Sequence, residues 1–136
     1  MKILGIDYGT KKVGLALSDE GGRIAFPLSV IPNDKTLLQK ISDICKKEEV
    51  GAIVIGESLD YKGEPNPIMK KINVFHGQLE EKTGKPVFLS PEFLSSKQAR
   101  NILDSGEKND ASAAAIILQT YLDKQIKPSS NQEAIF

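Results

Sequence analysis

Three carboxylates stand where an acid is either expensive to keep or available for work. Asp7 interrupts the first apolar segment, KILGIDYG; Glu92 follows Pro91 just past a short apolar run; Asp110 precedes AlaSerAlaAlaAla at the head of the last helical stretch. An ionised acid inside a strand is costly unless something pairs with it. Carboxylate oxygens gathered at one edge are the donors that Mg²⁺ or Mn²⁺ takes, together with waters and substrate phosphate oxygens. A pair of such ions activates a water and stabilises the leaving oxygen of a phosphodiester, chemistry that needs no histidine.

Each acid also has a plainer reading. Asp110 has the position of a helix cap, Glu92 that of a solvated loop residue, and Asp7 that of a turn residue bonding back toward Thr10. Side chains alternate across a strand, so Ile3, Gly5, Asp7 and Gly9 share one face. The glycines there predict open space beside the carboxylate, room for a metal or a phosphate. Thr10, Lys11 and Lys12 form the turn that follows, where the lysines either neutralise a phosphate or are simply solvated. His76 reads as a boundary residue without a role, and Lys70-Lys71 as the wet face of a helix. The sequence has no P-loop, no Gly-x-Gly-x-x-Gly after a strand and no Cys/His cluster of metal-binding type.

The elements that must position these acids follow from periodicity. Lys2 to Asp19 holds two strands, and Arg23 to Ile31 a third, which Pro27 assigns to a sheet edge or a bulge. Leu37, Leu38, Ile41, Ile44 and Cys45 then recur at helical spacing, with Asn33 or Asp34 as cap. The apolar run VGAIVIG (Val50 to Gly56) predicts a strand buried on both faces that ends at Glu57-Ser58 in a loop. Ile68, Ile72, Phe75 and Leu79 give a second helix closing near Gly84, and Pro86 to Ser90 a fifth strand. Ser95 to Gln98 has capping-box spacing ahead of Ala99, Ile102 and Leu103, and a last amphipathic helix starts at Asp110. The order predicts an α/β fold: a five-stranded mixed sheet, with a three-strand antiparallel meander and two parallel strands, flanked by helices. Ligands of such sheets bind off the carboxyl ends of the parallel strands, where all three acids fall.

Composition narrows the setting. The 136 residues fit one domain, expected over 1–126, with a polar, unpatterned tail at 127–136. Eighteen basic residues balance eighteen acidic ones, so a polyanion would be held by local arrangement or by bound cations. Cys45 stands alone, which excludes an internal disulfide and suits a reducing cytoplasm. No apolar run approaches the roughly 18 residues of a membrane span, and no signal-peptide pattern opens the chain.

Taken together, GIDYGTKKVGLALSD, the Gly56–Gly63 loop leading to Pro67 and Phe75, EFLSSKQA, and NDASAAAIILQTYLD resemble the YqgF-type proteins of the ribonuclease-H-like superfamily. These are described as Holliday junction resolvases and as nucleases that mature the 5′ end of precursor 16S ribosomal RNA. The resemblance implies a ribonuclease-H-like fold and a Mg²⁺- or Mn²⁺-dependent endonuclease. Asp7, Glu92 and Asp110 match the family's catalytic, metal-binding acids. Its partner would be structured nucleic acid, an rRNA precursor or branched DNA, met by a cytoplasmic monomer or homodimer. A junction resolvase, and a nucleic-acid-binding module that has lost catalysis, are the alternatives. The chain departs from the family in having Pro91-Glu92-Phe93 where Asp-Glu-Arg is usual. Its segment before Asp110 is shortened to Gly106-Glu107-Lys108-Asn109, and it adds Glu57 after Gly56.

Overall fold

In the computed structural model the described residues are 1–59, 62–93 and 110–135, and of these the side chains of 92, 93, 110 and 126–135 lie outside the description. Strands β1 (Lys2–Tyr8), β2 (Lys12–Ser18) and β3 (Ala25–Pro32) are followed by helix α1 (Leu37–Lys47) and strand β4 (Val50–Leu59). Helix α2 (Met69–Thr83), strand β5 (Val87–Phe93) and helix α3 (Asp110–Ile135) complete the described elements. The five strands form one sheet in the order β3-β2-β1-β4-β5. The β1–β2 and β2–β3 pairs are antiparallel, while β1–β4 and β4–β5 are parallel, as the periodicity predicts.

Both faces of the sheet are covered. On one, Leu4, Ile6, Val13, Leu15, Ile53 and Ile55 pack against α1 and α2 through Ile41, Ile72 and Leu79. On the other, Ile3, Ala16, Ala52 and Val54 meet Ala114, Ile117, Leu118 and Leu122 of α3. Double coverage explains why β4 has no polar alternation in its first half. Pro27 combines its two expected settings: β3 is an edge strand, and its pairing slips where Leu15 meets Ser29 and Ala16 meets Pro27, leaving Leu28 as the extra residue. Gly84 ends α2 in the left-handed conformation at φ 69°, and its N–H donates to the Glu80 carbonyl.

Four boundaries differ from expectation. Strand β4 continues through Glu57 and Ser58 to Leu59, because β5 continues beside it, with Gly56 opposite Ser90 and Leu59 opposite Phe93. Pro91 sits within this ladder on an edge strand, where a missing N–H is tolerated. The α1 cap also differs: Thr36 occupies it, and the Asp34 carboxylate instead accepts from the Thr36 N–H (2.8 Å) and hydroxyl (2.5 Å). Finally, α3 passes Pro128 and reaches Ile135, where the polar composition predicts a tail. Proline there removes one helical donor, and the backbone stays helical around it. The expected helix carrying Ala99, Ile102 and Leu103 lies outside the described residues.

Candidate nuclease site at the carboxyl edge of the sheet

Asp7 is the penultimate residue of β1, half-buried and opposite Gly14 of β2. Alternation puts it on the α3 side of the sheet, the side on which Ile3 packs. The glycines flanking it serve a different purpose from the one their composition suggests. A Cβ on Gly5 would lie 2.7 Å from Leu118 Cβ and 3.1 Å from the Ala114 carbonyl oxygen. The space beside Gly5 is therefore filled by α3. A Cβ on Gly9 would fall 2.5 Å from the Lys12 carbonyl oxygen, so Gly9 allows the hairpin to close on itself. Both residues admit protein backbone and side chain rather than a ligand.

The close approach at Gly5 seats α3 directly on β1. Leu118 and Ala114 contact Gly5, and Ile117 reaches Gly56, two residues beyond Val54, which pairs with Gly5. Further along α3, Gln119 accepts from the Ala25 N–H and donates to the Arg23 carbonyl, and Leu122 and Gln125 line a hollow with Met1 and Ile3, all at the amino end of β1, so the start of the helix heads toward the carboxyl ends of β1 and β4. Asp110 precedes Ala114 by four residues, about 6 Å of helical rise, while Asp7 lies two residues beyond Gly5, about 7 Å of strand. The two backbone positions thus reach similar heights along the sheet. Glu92 is the penultimate residue of β5, not a loop residue, and its backbone pairs with Ser58. It has the strand parity of Ser90 and of Phe88, whose ring stacks on Tyr121 of α3 at 6.0 Å. With β4 between them, β1 and β5 are separated by about 10 Å across the sheet.

Of the three acids, Asp7 alone has a described side chain, and among the described residues no group of three His, Cys, Asp or Glu side chains is arranged to hold a metal. Thr10, Lys11 and Lys12 are exposed at the β1–β2 turn. Lys12 shares the strand parity of Gly14 and so belongs to the Asp7 side of the sheet. Glu57 is half-buried and alternates with Gly56 and Ser58, which assigns it to the α1/α2 side. The added acid therefore stands across the sheet from Asp7.

Two asparagines hold the loops of this edge. Asn33, which composition offers as a helix cap, donates from Nδ2 to the Gly9 carbonyl (2.7 Å) and from its N–H to the Lys11 carbonyl (2.9 Å). It braces the turn carrying Thr10, Lys11 and Lys12. Asn66 donates from its N–H to the Ser58 carbonyl (3.0 Å) and from Nδ2 to Ser58 Oγ (2.8 Å), folding the loop after β4 back on the strand. Asn33 and Asn66 each stand next to a proline, Pro32 and Pro67, and that pairing is the local sign of a structured turn.

Comparison with known proteins agrees with this architecture. Residues 1–124 match the family model described as RuvX, Holliday junction resolvase. A relative from Sulfurihydrogenibium, provisionally named a pre-16S rRNA nuclease, is 36% identical over 131 residues, 90% of either chain. One of the same provisional name from Maridesulfovibrio salexigens is 38% identical, over 90% of this chain and 98% of its own. Among solved structures, Thermus thermophilus RuvC in complex with a Holliday junction substrate superposes with a TM-score of 0.58 at 22% identity, over 93% of this chain and 96% of its own. The fowlpox virus Holliday junction resolvase gives 0.55 at 15% identity, over 91% and 99%. These two likenesses establish a shared fold with resolvases.

Proposed function

Because the chain belongs to the RuvX family of Holliday junction resolvases, we propose that it is a divalent-metal-dependent endonuclease. It hydrolyses phosphodiesters in structured nucleic acid, in the first place at the 5′ end of precursor 16S rRNA. The observation that carries this reading is the placement of Asp7 at the carboxyl edge of β1 beneath the start of α3, in a chain of which residues 1–124 match the family. Asp7, Glu92 and Asp110 are the proposed catalytic acids and the ligands for Mg²⁺ or Mn²⁺. Their donors are all carboxylate oxygens, the ligand type that suits hard cations such as Mg²⁺ and Mn²⁺. When bound, the metal supplies charge stabilisation and an activated water.

The chain's own residues supply the rest. Lys11 and Lys12 receive the substrate phosphates on the turn that Asn33 braces, and Thr10 offers a hydroxyl to a phosphate oxygen. The two lysines are the compact positive charge beside the acids in a protein without net charge. The domain proposed to do this work is 1–126, acting in the cytoplasm, where ribosomal RNA is processed. Among the described residues, no helix is long and apolar enough to cross a membrane.

A four-way DNA junction is the second substrate, favoured by the family's description. Purified protein incubated with a precursor 16S rRNA fragment and, separately, with a four-way junction in Mg²⁺ or Mn²⁺ decides between them. Cleavage of the RNA at its 5′ flank is the expected result. Junction cleavage alone transfers the activity to DNA, and cleavage of neither substrate ends the nuclease reading in favour of a binding module.

A further inference from the structure

A depression of about 380 Å³ opens on the far side of β1 from Asp7, lined by Tyr8, Lys70, Lys71, Val74, Phe75 and Gln78. Its volume lies within the range of small-molecule sites, roughly 300–1,000 Å³. Tyr8 is half-buried, and its ring packs on Phe75 at 4.8 Å with the planes tilted by 40°. Lys70 and Lys71 are exposed in the first turn of α2, and Val74 is 61% exposed one turn further on. An aromatic and aliphatic wall, two cations and one amide are what a nucleotide needs: a surface for the base, charge for phosphates and a donor/acceptor pair for the base edge.

Position selects the occupant. Asp7 and Tyr8 are consecutive, with Cα atoms about 3.8 Å apart and side chains on opposite faces. A strand of nucleic acid lying over the edge of the sheet at Asp7 meets Tyr8 as soon as it crosses that edge. The groove continuing along α2 past Val74 and Gln78 contains Glu81 as well as Lys82, so the positive character is concentrated at the Tyr8 end.

We propose that this depression is a subsite for a single-stranded nucleotide flanking the scissile phosphodiester. Lys70 and Lys71 contact its phosphates and Tyr8 supports its base. The proposal rests on the nuclease reading for the location of the scissile bond. Lys70 and Lys71 then do more than keep a helix face wet.

The test is binding of a short labelled single-stranded oligonucleotide, RNA in one arm and DNA in the other, across a salt series. The proteins are the parent, K70A/K71A, Y8L and K46A/K47A. The last removes the same charge from the C-terminal turn of α1, which leads into the opposite end of β4. K70A/K71A is expected to bind about tenfold more weakly and to lower the salt slope by about 1.4, the release expected for two phosphate contacts on a single strand. Y8L is expected to weaken binding with the slope unchanged, and K46A/K47A to match the parent. Equal affinity and slope for K70A/K71A and the parent, or an equal loss in K46A/K47A, overturns the subsite. Cleavage measured in parallel separates the two readings. Lysine-dependent binding without cleavage by the parent removes the nuclease and keeps a nucleotide site, whereas cleavage with KM unchanged in K70A/K71A removes the subsite alone.

Discussion

Replacing Gly5 by alanine tests how the site is assembled. The added Cβ would lie 2.7 Å from Leu118 Cβ, closer than Cβ atoms stand in folded proteins, and 3.1 Å from the Ala114 carbonyl oxygen, tighter than most such contacts. Leu118 is fully buried and the other neighbour is helix backbone, so neither yields by a simple rotamer change. Helix α3 must move away from β1, and overpacking of this kind costs about 1–3 kcal/mol. Gly77 provides the internal contrast: it lies in α2, a Cβ added there would meet nothing within 4 Å, and alanine should stabilise by roughly 0.4–1 kcal/mol. Urea unfolding at 25 °C of the parent, G5A and G77A measures both. Cleavage under conditions where all three remain folded should fall in G5A, since displacing α3 displaces Asp110 from Asp7, the two acids proposed to share the metal, and stay at the parent level in G77A. If G5A is as stable and as active as the parent, the claim that Gly5 sets the height of α3 over the acids is wrong.

Other consequences can be checked separately. The Asp19 carboxylate accepts from the N–H groups of Arg23 (2.8 Å) and Ile24 (3.1 Å), bonds that hold its pKa below the ordinary carboxylate value. A depressed folded-state pKa contributes stability above the unfolded value that is lost as pH falls through the folded one. D19N should therefore be less stable than the parent at neutral pH, with the difference shrinking in acid unfolding profiles below pH 4. Cys45 is buried in the α1 core, and burial raises its thiol pKa. A thiol reagent should label it only once denaturant has unfolded the protein, and rapid labelling of the native state would contradict that packing.

Much of this architecture can be read from periodicity alone. The alternation of β1 and β2, the unbroken apolar run of β4 and the glycine closing α2 are local signals, and each produces the element it predicts. Residues 57–59 and 91–93 resist such reading because their polar and proline side chains look like loop. They are strand because each segment completes the other's ladder, and pairing between distant segments leaves no local trace. The glycines around Asp7 show the same limit. Their lack of a side chain is visible in sequence, but whether the space admits a ligand, a helix or the chain's own turn depends on the position of α3, more than a hundred residues away. Asn33 is legible as a polar residue near a helix start, whereas its bonds to Gly9 and Lys11 require the hairpin to be folded beside it.

Asp7 is proposed to work as a metal-binding catalytic acid. Its most direct test is cleavage of a precursor 16S rRNA fragment in Mg²⁺ by the parent and by D7N, with matched unfolding curves confirming that both are folded. Losing one member of such a carboxylate set should lower the rate by at least a hundredfold, about 2.7 kcal/mol of transition-state stabilisation. A folded D7N variant that cuts at the parent rate would contradict that role.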